Sequence, residues 1–513
     1  PDKLVYQKNF VLPQSYENKT ILLHFGAVDQ IATVCVNGKE LGRHEGGYLP
    51  FSVDITDAAL PGAENQLTVT VIDTLSSVYP YGKQRKKRGG MWYTPVSGIW
   101  QTVWIEPVPR QYIKNVCFTP TTQDVTIAVE YVTAFANIPF TATVTLQDGT
   151  LHTFSSEGTA LKIDFLSFRQ ADGLPLPPAL WTPKTPYLYT VKVATADDCV
   201  TSYFALRSIE IKNIANVPYV CLNGKPIFLN GVLDQGYFCD GIYLPISPKE
   251  YEKDILRMKS LGFNMLRKHI KIEPEQFYYY CDKLGMLFMQ DMVNSGLYSW
   301  LRDTALPNFG FSKKDTGCSK KDTERRLFFE QHMKDTLYQL YNHPCIIAYT
   351  LFNEGWGQFE SDRIYQVAKQ IDPTRLYDST SGWFAQQKSD FDSRHIYFKS
   401  IKLPAANQKP LLVSECGGYA YKVENHVYAK YSHYGYGNCE TAQELTDTIV
   451  DMYQSMIIPA ITSGTCGCVY TQLSDVEDET NGLYTYDRKI CKVFPEPLQK
   501  INEKIEDIIS NRV

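Results

Sequence analysis

Two glutamates sit where an apolar run gives way to small residues, and their types and setting suit work on a single bond. Thr350-Leu351-Phe352-Asn353-Glu354-Gly355-Trp356-Gly357 carries one, and Leu411-Leu412-Val413-Ser414-Glu415-Cys416-Gly417-Gly418 carries the other. Two carboxyl groups flanking one bond can divide the labour of glycoside hydrolysis. One protonates the leaving oxygen, while the other attacks the anomeric carbon or activates water. Asn353 beside the first can hydrogen-bond a sugar hydroxyl, and Trp356 offers a flat face for stacking. The first motif also has a plainer reading, a glutamate at a loop start capping a helix, and the second is the weaker signal on its own. The pair is more specific than either motif alone.

Carboxylates of this kind need a scaffold that brings distant segments together. From about residue 209 short apolar runs alternate with helical patterns. The expected strands are Pro226–Leu233, Asn264–Lys268, Met286–Asp291, Ile346–Asn353, Leu376–Ser379, Arg394–Phe398, Leu411–Glu415 and Cys466–Gln472. Helices are expected at Lys249–Leu261, Glu275–Leu284 and Arg326–Tyr341. This is the strand count of a (β/α)8 TIM barrel. A doubly wound sheet is the alternative, but no Gly-rich phosphate loop follows the first strand. In a barrel, Glu354 and Glu415 fall at the C-terminal ends of strands four and seven, across the mouth from each other. Carboxyls held ~5–5.5 Å apart there give retention of configuration, and their mutual repulsion keeps one protonated as the acid. Asn308–Thr323 reads as a long loop after strand three, over the same face.

The first 208 residues read as all-β. Ile21–Phe25, Ala32–Val36 and Gln66–Val71 are short strands, and Asn37-Gly38 is a strong two-residue hairpin signal. A jelly roll is expected over 1–108 and an immunoglobulin-like β-sandwich over 109–208, with the barrel over 209–513. The Pro-rich Leu174–Pro178 is a connector.

Composition narrows the classes of function. At 513 residues, 44% hydrophobic and 21% charged, the chain is an ordinary multidomain globular protein. A net charge of −5 gives no general attraction for nucleic acid or an anionic membrane, and no apolar run is long enough to span a bilayer. The one basic run, Lys83-Gln84-Arg85-Lys86-Lys87-Arg88, reads as a solvated loop rather than a polyanion site. Thirteen cysteines, an odd number without paired spacing, read as free thiols of a cytoplasmic protein.

The motifs together resemble glycoside hydrolase family 2, the family of β-galactosidases, β-glucuronidases and β-mannosidases. Val34–Glu40, Gly46-Gly47-Tyr48-Leu49-Pro50-Phe51 and Gly98-Ile99-Trp100-Gln101-Thr102-Val103-Trp104 resemble its jelly roll, which here lacks the opening residues usual in relatives. Leu261–Arg267 and Tyr280–Met286 resemble the segments at its second and third barrel strands. The resemblance implies an exo-acting retaining β-glycosidase with Glu354 as acid/base and Glu415 as nucleophile. It implies no metal or other cofactor, and a dimer or tetramer as the common assembly. It also implies an Arg267 near the nucleophile and a His395-x-Tyr397 segment in the site, with Trp383 as a candidate floor for the sugar. Asp234 and Gln235 stand where relatives present His-Glu, and Gln472 ends strand eight where many carry Trp; both departures alter the sugar pocket. No Asn-x-Lys triplet follows the nucleophile except Asn502-Glu503-Lys504 in the C-terminal helix. Glucuronate is thereby disfavoured unless Lys268 or Lys399 holds an acid group, and a β-galactoside is the first expectation. The rivals are a carbohydrate-binding protein on an inactive barrel and a transglycosylase.

Overall fold

The structure, a computed structural model, describes residues 2–133, 138–306, 322–398, 400–429 and 434–511. It divides into two compact units. One comprises 1–74, 97–208 and 339–344; the other comprises 75–96, 209–338 and 345–513.

The first unit holds two sandwiches. In the N-terminal one, Lys3–Val11, Glu64–Ile72, Ile31–Val36 and Lys39–Glu45 form one antiparallel sheet. Phe51–Asp54, Thr20–Phe25 and Val103–Val108 form the other. Alternation does the sorting: along Ile31–Val36 every second side chain is buried, so Ala32, Val34 and Val36 meet Leu23, Phe25 and Val71 in one core. The hairpin turns at Asn37 (φ 51°) and Gly38 (φ 80°), the left-handed pair that Asn-Gly tolerates. In the second sandwich a three-stranded sheet (Ile113–Pro120, Asp124–Tyr131, Ala160–Asp164) accompanies a four-stranded one. The four-stranded sheet is built from Leu151–Ser156, Phe140–Thr145, Tyr189–Ala194 and Cys199–Phe204. Val125, Ile127, Val129, Val191 and Phe204 close its separate core.

The second unit is the barrel. Its strands one to eight are Leu229–Asp234, Met265–Lys268, Leu287–Asp291, Ile346–Thr350, Leu376–Asp378, Asp392–Tyr397, Leu411–Gly417 and Thr465–Thr471. They form one parallel eight-stranded sheet in the order five-four-three-two-one-eight-seven-six, a nearly closed ring whose two ends are strands five and six. Most of these strands are buried along their whole length, because the sheet has side chains on one face and helices on the other. Helices Lys249–Ser260, Glu275–Leu284 and Thr323–Gln339 stand within a few residues of their expected places. The loop expected at 308–323 lies, up to residue 321, outside the described residues. No helix among the described residues is long and apolar enough to cross a membrane, and the described cysteines are free.

One expectation fails on burial. The run at 83–88 is not simply a solvated loop: Lys83 and Gln84 are buried, and only the residues from Arg85 onward are exposed. The segment 75–96 is also counted with the barrel, not with the sandwich that flanks it in sequence.

Candidate active site

Glu415 is placed by a kink in strand seven. Between strands six and seven the register slips, so that Arg394 faces Val413 but His395 faces Glu415. A residue inserted in this way bends the strand and re-aims its side chains, which is why such bulges gather beside active sites. The Glu415 carboxylate then meets four groups. Arg267 Nη1 is 3.3 Å from Oε1, the Tyr397 hydroxyl donates to Oε2, His395 Nε2 is 3.5 Å from Oε1, and His269 Nδ1 is 3.9 Å away. Burial pushes the Glu415 carboxyl up, but His395, His269, Arg267 and the Tyr397 hydrogen bond together hold it down to about 2. The histidines contribute only when protonated, and burial lowers His269, so Arg267 is the charge that acts at every pH. Glu415 is therefore an ionised, oriented carboxylate, the state a nucleophile requires.

Arg267 is itself fixed. Its Nε and Nη2 bind the two oxygens of Asp291 at 2.9 and 3.0 Å. Its Nη2 also donates to Asn353 Oδ1 at 3.0 Å, and Nη1 to the Ser414 carbonyl at 2.9 Å. A buried guanidinium with every edge engaged cannot swing away, so it ties the ends of strands two, three, four and seven together.

Glu354 lies just beyond strand four. Its backbone is in the left-handed region (φ 52°), and its N–H donates to the Ser381 carbonyl at 3.1 Å. A non-glycine residue held there stores strain, a feature concentrated at functional sites. Gly355 follows with φ 71°, and a Cβ there would stand 2.3 Å from the Phe384 ring. The Glu354 side chain is 16% exposed against 7% for Glu415, which leaves it the more open to solvent of the two. Its Oε1 is 2.8 Å from His395 Nδ1. One oxygen from each glutamate and a ring nitrogen of His395 lie within 4.8 Å of one another. Such a trio could ligate a cation, but the Arg267 guanidinium against Glu415 already supplies the positive charge and opposes another.

The other expected residues divide. His395 and Tyr397 both face the glutamates, and Tyr436 stacks on Tyr397 at 3.9 Å. Trp383 stands edge-on to His395 at 5.5 Å and donates to the Asp303 carbonyl, so it borders the site. Trp356 does not offer the open face expected of it. It is 3% exposed, edge-on to Trp92 and Tyr81, and donates to the Gly296 carbonyl at 2.7 Å. Asp234 is engaged by Lys268 Nζ at 2.5 Å and by the Gly236 N–H at 2.8 Å. Lys268 also binds Glu273 at 2.8 Å, so it carries no spare charge for a substrate. Lys399 lies outside the described residues. Gln235 and Gln472 are buried, and each has an Oε1 with no hydrogen-bond partner among the described residues, although Gln472 Nε2 donates to Glu479 and Asn481.

His269, Asp291 and Ser381 join the site without having been expected there. His269 Nδ1 is 3.0 Å from Asp291, and Ser381 Oγ is 2.6 Å from His395 Nε2. A signal for the first was present. His269 is two residues after Arg267 at the end of strand two, the spacing that returns a side chain to the same face.

Residues 212–483 match the TIM barrel domain of the glycosyl hydrolases family 2, and residues 2–98 match the galactose-binding-like domain of the same family. The chain belongs to glycosyl hydrolase family 2. A β-galactosidase of Thermoanaerobacter pseudethanolicus is 23% identical over 96% of this family 2 chain and 63% of its own length. A β-glucuronidase of Bacteroides fragilis is 25% identical over 73% of the chain and 54% of its own length. The chain thus spans less than two thirds of either relative. Among solved structures, a β-glucuronidase of Lactobacillus rhamnosus superposes with a TM-score of 0.76 at 20% identity, covering 98% of this chain and 88% of that one. At that identity the likeness speaks for the fold.

Proposed function

We propose that this family 2 chain is a retaining exo-β-glycosidase working by double displacement, with Glu415 as nucleophile and Glu354 as acid/base. The observation that carries the reading is the approach of the two carboxylates, an oxygen of each within 4.8 Å. Retaining enzymes hold the pair at ~5–5.5 Å, too close for a water to sit between the second carboxylate and the sugar. In the first step Glu415 attacks the anomeric carbon while Glu354 delivers its proton to the departing oxygen. A covalent glycosyl-enzyme results. Glu354, now ionised, removes a proton from water, which displaces Glu415 and returns the sugar as the β-anomer. Arg267 and Tyr397 keep Glu415 ionised and aimed before attack, and Tyr397 must release its hydrogen bond as the ester forms.

Neutral β-hexosides, β-galactosides first, are the substrates that the motif departures favour, and β-galactosidases are among the relatives. A sugar bearing a negative charge is the second reading, favoured by the largely buried cation at Lys83. The free thiols suit a reducing, cytoplasmic setting. Assay of a panel of nitrophenyl β- and α-glycosides, with Glu415→Gln and Glu354→Gln beside wild type, tests the reading. One or more β-glycosides turned over by wild type and by neither variant is the expected result. Turnover that survives Glu415→Gln would remove the assigned nucleophile.

A further inference from the structure

The segment 75–96 is woven into the barrel's catalytic end. The Tyr81 and Gly82 N–H groups donate to the Asn294 carbonyl, and the Tyr81 hydroxyl donates to the Gly296 carbonyl at 2.9 Å, both in the loop after strand three. On the other side the Thr94 N–H donates to Glu477 Oε1 at 2.9 Å, in the loop after strand eight. Between these anchors the Tyr93 N–H donates to the Lys83 carbonyl at 3.0 Å, so the backbone of Lys83 is fixed.

The Lys83 side chain is not matched in the same way. The residue is only 9% exposed, yet its ammonium makes no hydrogen bond and no ion pair among the described residues. It lies over the Trp92 ring, 5.8 Å from its centroid. Its charge reaches two groups of the site: His269, which stands 3.9 Å from the nucleophile, and Glu479, which binds Gln472 at the end of strand eight. Other buried cations nearby are satisfied. Arg267 has Asp291 and Glu415, Lys268 has Asp234 and Glu273, Lys271 has Glu273 and two carbonyls, and Lys492 has Asp475. Glu479 does not stand in as a full counter-charge, because burial pushes its carboxyl up to about 7. An ammonium held in a mostly buried residue without a hydrogen-bond partner is poorly solvated, and an anionic ligand that reaches it gains a charge-assisted bond.

We propose that Lys83 is a specificity-determining residue of the glycosidase site, placed to bind an anionic substituent, carboxylate or sulfate, on the sugar held by Glu415. The inference rests on the retaining reading of that site. It gives a function to the buried front of the basic run and offers an anion site independent of the Asn-x-Lys position that this chain lacks.

The test compares kcat/KM of wild type, Lys83→Met and Lys83→Arg on three nitrophenyl substrates. These are a β-glucuronide, a β-galactoside sulfated on its primary hydroxyl, and the plain β-galactoside. The expected result is a loss of about 10- to 100-fold in Lys83→Met on whichever anionic substrate wild type prefers. Lys83→Arg should recover part of it, and the plain galactoside should change less than about threefold, since it lacks the anion. The glucuronide and sulfate arms distinguish the two sources of charge. Equal losses on all three substrates would mean a structural role and overturn the proposal. Calorimetric binding of free D-glucuronate and galactose sulfate needs no turnover. Failure of wild type to bind either overturns the Lys83 assignment even if neutral β-glycosides are hydrolysed, whereas failure to hydrolyse any glycoside would count against the retaining reading itself.

Discussion

His395 stands between the two glutamates, with Nδ1 2.8 Å from Glu354 and Nε2 3.5 Å from Glu415. Its Nε2 also meets Ser381 Oγ at 2.6 Å, and a hydroxyl can donate or accept. When Glu354 is ionised, Nδ1–H donates to it and Ser381 donates to Nε2. When Glu354 carries its proton, it donates to Nδ1, and Nε2–H donates to Ser381. One imidazole can thus serve both protonation states of Glu354 by exchanging tautomers, as the proposed acid/base role requires. His395→Ala should lower kcat by about 10- to 100-fold, the worth of a hydrogen bond to an ionised group, with a smaller change in KM. Steady-state kinetics check this, and an effect confined to KM would contradict it.

The two glutamates should respond differently to the leaving group. Glu354→Ala should lose at least about a hundredfold on substrates whose departing oxygen needs a proton. It should retain glycosylation of dinitrophenyl glycosides, whose leaving group departs unaided. Added azide should then restore turnover and yield a β-glycosyl azide, whereas Glu415→Ala should give the α-glycosyl azide if it is rescued at all. Product analysis by NMR reads the outcome.

Tyr397→Phe removes the hydroxyl that donates to Glu415 Oε2. The Glu415 carboxyl is held at about 2 partly by that bond, so its loss moves the carboxyl upward. Attack needs the ionised form, and the acidic limb of the kcat/KM profile should therefore shift to higher pH in the variant. A profile that kept its acidic limb in place would show that the tyrosine does not tune the nucleophile.

Glu479 gives a stability prediction of defined sign. Its folded carboxyl sits at about 7, raised by burial above its ordinary 4.5. Below pH 4.5 both folded and unfolded states are protonated and no penalty exists. As pH rises through 7 the folded state must ionise a buried group, and the stability present at low pH is lost. Glu479→Gln should accordingly gain stability relative to wild type between pH 5 and 8, read as a Tm difference that grows with pH and levels off above the folded value. A constant difference would contradict the assignment.

Gly355→Ala should disable the site without altering either carboxylate. The new Cβ would meet Phe384 at 2.3 Å, and φ 71° is strained for alanine. Loss of activity with a Tm lowered by only a few degrees is expected, because the change is local to the loop that carries Glu354.

Much of this site was legible in the residue pattern. Glu354 and Glu415 each follow an apolar run of strand length, and in a barrel the strand ends converge. Hairpin geometry at Asn37-Gly38 was equally local, and so was readable. Burial of Lys83 was not, because a basic run beside glycines looks solvated until its segment packs against loops hundreds of residues away in sequence. Trp356 misled for a related reason: an aromatic two residues from Glu354 looks like a stacking platform, but Trp92 and Tyr81, from that same distant segment, stand against it. The bulge that turns Glu415 toward His395 depends on pairing between strands and leaves no signature in either strand alone.

Double displacement at Glu415 is tested most directly by the anomeric form of the first product. Proton NMR would follow, in the first minutes of reaction, the sugar released from whichever nitrophenyl β-glycoside the protein hydrolyses. The β-anomer should appear first and mutarotate to the equilibrium mixture. An α-anomer formed first would mean inversion by a single displacement, and would contradict both a nucleophilic Glu415 and an acid/base Glu354.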